Sequence, residues 1–320
     1  MYHDRGAPIV STVPPIRVSI LRIFVTGASG YIGGSVAAVL AREGHMVRGL
    51  VRSAAKAQAV SAHGIAPIIG TLDDAELLRA EAQAADAVIN AASSDHRGAV
   101  EALIAGLAGS GRTLIHSSGS SIVADLAMGE PSDRIFEEAE PLAPLPDKAA
   151  RVAIDRLVLA APGVRAIVLC NSMIYGETLG PPAQSVQIPA LARVARESGV
   201  ARYIGRGLNR WSNVHIADVV ALYRLALERA PAGSFMFVES GEEALGAIAA
   251  AIAQKLGLGA ARSLPPDEAV TIFGRNMATY SLGSNSRVRG TAAAALGWRP
   301  VQRSVTEWIA RDPSRKVPVD

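Results

Sequence analysis

Short apolar runs alternate with longer stretches whose apolar residues recur every three or four positions, and this rhythm organises most of the chain. The runs at 21–25, 46–51, 65–69, 87–92, 113–116, 165–170 and 234–238 carry little charge, as strands buried on both faces do. Between them, 54–63, 75–84, 97–108, 147–160 and 219–228 read as helices. So does the segment after position 30, where Ile32, Val36, Val39 and Leu40 fall on one helical face. Strands alternating with helices of this length imply crossover units and a parallel sheet covered on both sides. Helices at 188–197, 244–256, 267–275 and 290–296, with a strand at 201–204, break the alternation and predict a smaller second lobe.

The first strand runs directly into Thr26-Gly27-Ala28-Ser29-Gly30-Tyr31-Ile32-Gly33. Gly27 allows a tight turn off the strand, Gly30 lets backbone approach a pyrophosphate, and Gly33 lets the following helix pack on the sheet. The open amides and positive dipole end of that helix suit a phosphate. At this turn, spaced Thr-Gly-x-x-Gly-x-x-Gly, the sequence resembles the short-chain dehydrogenase/reductase superfamily in its extended branch. The resemblance implies an α/β fold, a Rossmann-type doubly wound parallel sheet with a smaller α/β C-terminal substrate lobe. It also implies a bound nicotinamide dinucleotide. The expected division is a tail at 1–20, a dinucleotide-binding domain at 21–175 to which 213–240 returns, and a substrate lobe from 176–212 and 241–320.

Composition narrows the classes further. At 320 residues with 49% hydrophobic content the chain can bury a large core. A formal net charge of +3, scattered along the chain, gives no basic stripe for nucleic acid. A lone cysteine, Cys170, excludes an internal disulfide and a cysteine-rich zinc site, and no metal-ligand spacing occurs. No apolar run reaches membrane-spanning length, and the first twenty residues lack a secretory apolar core. A soluble cytoplasmic protein with a small-molecule substrate is the expectation, with no metal, nucleic acid or membrane partner.

The residue that ends the second strand decides between the two nicotinamide cofactors. Arg52-Ser53 stands where an acid would bind a ribose 2′-hydroxyl, and the Arg52 guanidinium suits a 2′-phosphate, so NADP (as NADPH) is favoured over NAD. Thr71 and Leu72, after the third strand, fall beside the adenine in the family pattern, while Asp73 and Asp74 suit the start of a helix. Ala91, Ala92 and Ser93 match the small residues that follow the family's fourth strand. With Gly27, Ser29, Gly30, Tyr31, Ile32, Gly33, Ser53, Arg151, Asn171 and Met173 they complete the expected cofactor contacts.

The catalytic columns depart from the pattern. The family's substrate-orienting serine falls on Gly119, flanked by Ser118 and Ser120; His116, just before them, reads as a core residue. In Pro146-Asp147-Lys148-Ala149-Ala150-Arg151-Val152-Ala153-Ile154-Asp155 the family's Tyr-x-x-x-Lys pair becomes Asp147 and Arg151. Such a change resembles the atypical members, in which a basic residue replaces the lysine and the tyrosine is absent. Arg151 can hold ribose hydroxyls but cannot serve as a base. The candidate catalytic residues are Ser118, Asp147, Arg151 and Tyr175; the proton comes from Asp147, Tyr175 or water. Asn209-Arg210-Trp211 with Val214-His215, and Gly297-Trp298-Arg299-Pro300, carry the resemblance to about position 306. His215 and Asp218 read as structural, and Arg210 and Trp211 as either substrate wall or scaffold.

The leading expectation is an NADPH-dependent oxidoreductase acting on a small carbonyl or activated alkene. A nucleotide-sugar epimerase or dehydratase and a non-catalytic NADPH-binding sensor stay open beside it. By resemblance, a homodimer would form through 97–108 and 147–160.

Overall fold

The computed structural model describes residues 19–311, so all but the last two positions of the tail expected at 1–20, and the end of the expected lobe past 311, fall outside the described residues. Strands β1 (Arg22–Thr26), β2 (Met46–Val51), β3 (Ala66–Ile69), β4 (Ala87–Asn90) and β5 (Thr113–Gly119) alternate with helices α1 (Tyr31–Arg42), α2 (Ala54–Ser61), α3 (Ala75–Ala84) and α4 (Arg97–Leu107). A two-residue strand β6 (Phe136–Glu137), helix α5 (Pro146–Leu159) and strand β7 (Arg165–Asn171) follow. The chain then leaves the sheet through β8 (Met173–Tyr175), α6 (Gln187–Ser198), β9 (Arg202–Ile204) and β10 (Arg210–His215), and returns through α7 (Ile216–Arg229) and β11 (Ser234–Val238). It ends with β12 (Gly241–Ala244), α8 (Leu245–Lys255), β13 (Arg262–Leu264), α9 (Pro266–Phe273), the short α10 (Arg275–Met277), β14 (Val288–Arg289), α11 (Ala292–Ala295) and α12 (Val305–Ala310).

The seven long-range strands form one sheet in the order β3-β2-β1-β4-β5-β7-β11, every pair parallel. Successive strands run outward in one direction from β1 to β3 and in the other from β4 onward. The carboxyl ends of β1 and β4 therefore diverge and leave a crevice, the place where doubly wound sheets bind ligands. Ile23, Val25, Ile89 and Ile115 face α1 and α7 on one side of the sheet; Phe24, Val88 and Leu114 face α3, α4 and α5 on the other. Strands buried on both faces explain why their sequence is apolar throughout rather than alternating.

A second core, around Ile188, Leu191, Ile248, Ile252 and Leu282, fills the smaller lobe. Its three-stranded sheet pairs β10 parallel with β8 and antiparallel with β12. Two anchors tie this lobe's end to the main sheet. The Asp218 carboxylate accepts the Val301 and Gln302 amides at 2.9 Å each, and Trp298 Nε1 donates to the Asp218 carbonyl at 2.9 Å. Trp298 itself plugs the core beside α7. His215 caps α7 by accepting the Ala217 amide. His215 and Asp218 thus both have structural work.

Several elements differ from the sequence pattern. The fifth strand extends past His116 to Gly119, because Ser117 and Ser118 pair in register with Leu169 and Cys170 of β7 despite their polarity. Helix α7 starts at Ile216 rather than 219, its cap being His215. The segment at 290–296 holds only the four-residue α11. Residues Ala278–Leu282, given no element from the sequence, form a π-helical turn, a form that often marks functional sites.

Candidate active site

The glycine turn is built as its spacing requires. Gly27 has φ +70°, and a Cβ there would stand 2.7 Å from the Ala91 carbonyl oxygen. A Cβ at Gly33 would stand 2.5 Å from the Gly27 carbonyl oxygen. Backbone of β1, α1 and the segment after β4 is thus packed closer than any side chain permits. Gly30 caps α1 without a side-chain hydrogen bond, so the first amides of the helix stay open to a ligand.

Gly30, Tyr31 and Ile32 open onto a cavity of about 630 Å³ at the sheet's carboxyl edge. Ala91, Ala92, Ser93, Ser118, Arg151 and Asn171 line it as well. The smaller lobe closes it with Gln184, Ser185, Val186, Gln187, Trp211, Asn276, Met277, Tyr280 and Ser281. Asn171 Nδ2 donates to the Ser118 and Leu169 carbonyls and to the Tyr223 hydroxyl, and the buried Asn171 Oδ1 has no partner among the described residues. An orphan acceptor beside a bare-backbone cradle fits a ligand that brings both anionic oxygens and N–H donors, as a nicotinamide dinucleotide does. The residues that could hold its diphosphate are Gly30, Tyr31 and Ile32, and Asn171 lines the cavity at the end of β7.

Helix α5 carries the charge of the site. Arg151 clamps Asp95 through Nε at 2.8 Å and Nη2 at 2.5 Å, and Nη1 donates to Ser121 Oγ at 2.9 Å. Its charge is therefore fixed in place and matched. Lys148 is 9% exposed, and its ammonium lies 4.6 Å from the centre of the Tyr280 ring, a cation–π contact. Burial, then the neighbouring Arg151 charge, push the Lys148 ammonium below its ordinary value. Lys148, Arg151 and Asp155 are spaced at three and four residues and share the inward face of α5.

Three sequence-based candidates stand elsewhere. Asp147 is exposed in the first turn of α5, where its charge favours the helix dipole, and its carboxylate accepts the Tyr280 hydroxyl rather than facing the cavity. Tyr175 and Met173 are sealed in the core of the smaller lobe, the Tyr175 ring lying 5.2 Å from that of His215. The reason is strand alternation: β8 turns Ile174 to the cavity and its two neighbours inward. Burial raises the Tyr175 phenol well above its ordinary value, and its oxygen has no partner among the described residues.

The remaining candidates flank the cavity along the same sheet edge. Gly27, Ser29 and Gly33 form the turn itself. Arg52 is exposed directly after β2 and makes no ion pair among the described residues, and Ser53 caps α2 through the Lys56 amide. The Thr71 hydroxyl and amide are taken up by the Asp74 carboxylate, and Leu72 packs against the sheet. Asp74 therefore sits at the start of α3 but turns its carboxylate back to Thr71 instead of capping the helix. The Arg210–Trp211 pair splits: Trp211 lines the cavity, whereas Arg210 joins Arg287 and Arg289 on the Glu242 carboxylate at 2.8, 3.0 and 3.3 Å.

Sequence reasoning passed over Lys148 and Tyr280. The helical period through Arg151 is the signal that would have found Lys148. Tyr280 enters from a π turn remote in sequence, which no local pattern places.

The family model described as the NAD dependent epimerase/dehydratase family matches residues 23–236. Oxidase ucsJ of an Acremonium species is 34% identical over 325 residues, covering 88% of this chain and 93% of that protein. The 4-hydroxy-2-methyl-3-oxo-4-farnesyl-3,4-dihydroquinoline-1-oxide ketoreductase of Stigmatella aurantiaca is 30% identical over 239 residues, 69% of each chain. A solved dTDP-glucose 4,6-dehydratase from Streptomyces venezuelae, with NAD bound, shares the fold at a TM-score of 0.71 and 21% identity, over 91% of this chain and 95% of that one. None of the described helices is long and apolar enough to cross a membrane. With the family model matching across the glycine turn, the Arg151 helix and the return to the sheet, the chain belongs to the NAD-dependent epimerase/dehydratase family.

Proposed function

We propose that this NAD(P)-dependent oxidoreductase uses NADPH to reduce a small, uncharged carbonyl compound or activated alkene. The observation that carries the reading is the make-up of the cavity. Open helix amides and Asn171 share it with the Ser118 hydroxyl, and among the described residues the smaller lobe contributes no arginine, lysine or histidine to the wall. A nucleotide-sugar substrate would need cations for its phosphates, and the lobe's Arg210, Arg287 and Arg289 are instead gathered on Glu242. The kinship with a ketoreductase and an oxidase supports oxidoreduction as the reaction type.

When bound, the nicotinamide supplies the hydride. The chain's own share is orientation and electrostatics. Ser118 Oγ, on the cavity floor, is placed to donate to the substrate oxygen. Trp211, Met277 and Tyr280 give the smaller lobe's wall apolar surface against which the substrate would pack. Lys148, on the cavity wall, favours negative charge growing on that oxygen, while Arg151 stays held by Asp95. Arg52, exposed after β2 and unpaired among the described residues, supports the choice of NADPH through a 2′-phosphate.

The test is NADPH and NADH consumption across a panel of aldehydes, ketones and enones, with product identification. Consumption of NADPH with one reduced product per cofactor is the expected result. Cofactor that stays bound through purification and is never consumed, with an isomerised or dehydrated nucleotide sugar as product, would refute it.

A further inference from the structure

A row of buried polar side chains runs from the cavity floor into the sheet. Asp155 on α5 and His116 on β5 are 2% and 0% exposed. Ser118 Oγ lies 2.7 Å from Asp155 Oδ2, donating to it when the carboxyl is ionised and accepting from it when the carboxyl is protonated, and Asp155 Oδ1 faces His116 Nε2 at 3.5 Å. Neither Oδ1 nor Nε2 has a full hydrogen bond to any described residue. A carboxyl group this deep, with one hydroxyl and one long imidazole contact, is poorly compensated as an anion. Sheet packing alone would favour an apolar residue there.

Donor counting fixes where the hydrogens lie. The Thr26 hydroxyl has one acceptor among the described residues, Asn90 Oδ1 at 2.6 Å. Asn90 therefore turns its amide NH₂ toward His116 Nδ1, 3.0 Å away, and that nitrogen accepts. A neutral imidazole accepting at Nδ1 carries its hydrogen on Nε2, the atom aimed at Asp155. Burial, then the Arg151 charge, push His116 down to about 4, so the ring stays neutral at neutral pH. Burial pushes Asp155 up to about 7, against the Ser118 hydrogen bond and the Arg151 charge. The other groups facing Asp155 are Asp95, which holds Arg151, and Cys170 of β7, a thiol that burial also pushes up.

We propose that Asp155 is the proton reservoir of the reduction, with Ser118 as its outlet and His116 as the donor that receives the charge left behind. The idea rests on the reductase reading above. As hydride from the reduced nicotinamide adds to the carbonyl carbon, the C=O π bond opens and the oxygen takes the Ser118 hydroxyl proton. Ser118 Oγ takes the Asp155 Oδ2 proton in turn. The substrate leaves as an alcohol, the cofactor is oxidised, and Asp155 remains as a carboxylate facing the His116 Nε2–H. Solvent returns the proton through Ser118 once the cavity opens. This places the proton supply one helical turn beyond Arg151, where the exposed Asp147 cannot provide it. Ser118 is the catalytic residue of the pair; Asp155 and His116 act through it.

Infrared difference spectra of the purified protein between pH 5 and pH 9 provide a readout that does not depend on turnover. The carbonyl stretch of a neutral carboxylic acid should be lost with a midpoint of about 7 and should be missing in Asp155→Asn. With NADPH and the best substrate of the panel, wild-type kcat should fall as pH rises through about 7. Asp155→Asn should lower kcat by roughly 100-fold and remove that limb, at unchanged Kd for NADPH, because a positioned proton donor contributes about that much. Asp155→Glu should restore part of the limb, which a merely structural role would not do. Melting curves confirm that each variant is folded, and Ser118→Ala serves as the second variant, with kcat reduced but the infrared band retained. Absence of a titrating band assignable to Asp155, or an Asp155→Asn pH profile that superimposes on wild type, would overturn the relay while leaving the reductase reading intact. A wild-type protein that shows the band but consumes NADPH with no carbonyl or enone would overturn the reductase reading, and the use of the proton with it.

Discussion

The buried pair also makes the fold's stability respond to pH in two opposed ways, and single substitutions separate them. Asp155 rises from an ordinary 3.8 to about 7, and His116 falls from 6.5 to about 4. A tenfold change in proton affinity between the folded and unfolded chains corresponds to roughly 1.4 kcal/mol. For Asp155 the folded chain keeps a proton that the unfolded chain has lost. Ionising it therefore costs stability, a loss that begins above 3.8 and is complete once pH passes about 7. Between pH 5 and pH 8 this amounts to a fall of roughly 2–3 kcal/mol. For His116 the unfolded chain binds a proton below 6.5 that the folded chain refuses until about 4. Its contribution is fully present above 6.5 and is lost as pH falls, a rise of roughly 2 kcal/mol from pH 5 to pH 8. In the wild type the two slopes nearly cancel. Asp155→Asn removes the falling one, so its unfolding free energy should climb by roughly 2–3 kcal/mol relative to wild type across that interval. His116→Gln should tilt the other way. An unfolding entropy of about 2.1 cal/mol/K per residue makes the relative change in melting temperature roughly 3–4.5 °C for a chain of this size. Urea unfolding or thermal melts at pH 5, 6, 7 and 8 measure it. Parallel pH profiles for wild type and Asp155→Asn would refute the reasoning, because they would mean that Asp155 titrates alike in the folded and unfolded chains.

Three further outcomes are expected. Arg52→Asp should weaken NADPH binding by tenfold or more while sparing NADH, as read by cofactor fluorescence titration; equal loss for both would dismiss the 2′-phosphate contact. Gly33→Ala places a Cβ 2.5 Å from the Gly27 carbonyl oxygen and should cost roughly 1–3 kcal/mol of stability and abolish cofactor binding, by thermal melt and titration. A variant that binds normally would show that α1 can shift away from β1. Asp218→Ala strips the acceptor from the Val301 and Gln302 amides and should cost roughly 2–4 kcal/mol, with faster proteolysis of the segment after Trp298. Proteolysis at the wild-type rate would show that the Trp298 plug alone holds that segment.

The glycine turn and the apolar runs could be read because their causes are local. A Cβ at residue 27 or 33 is excluded by the turn's own backbone, and a strand covered by helices on both sides has to be apolar along its length. The helical span of α5 was visible from its local apolar period, whereas Arg151 was singled out by the family pattern. The candidate catalytic residues were less legible. Asp147 was placed by counting from a family pattern, and Tyr175 and Met173 by proximity to a strand end. The direction a side chain takes depends on which face of β8 packs on the smaller lobe, and that is not written locally.

From its sequence alone this protein was bound to a parallel sheet with a nucleotide-ready turn at its centre, because short-range sterics and the burial of whole strands leave few other arrangements for such residues. The tertiary structure decided the chemistry beyond that. It brought Tyr280 over Lys148, gathered three arginines on Glu242 and away from the cavity, and set His116 against Asp155 beneath Ser118. Each of these groups joins segments that are distant in the chain. Their charge and hydrogen bonding depend on the low-dielectric surroundings that only the assembled core creates.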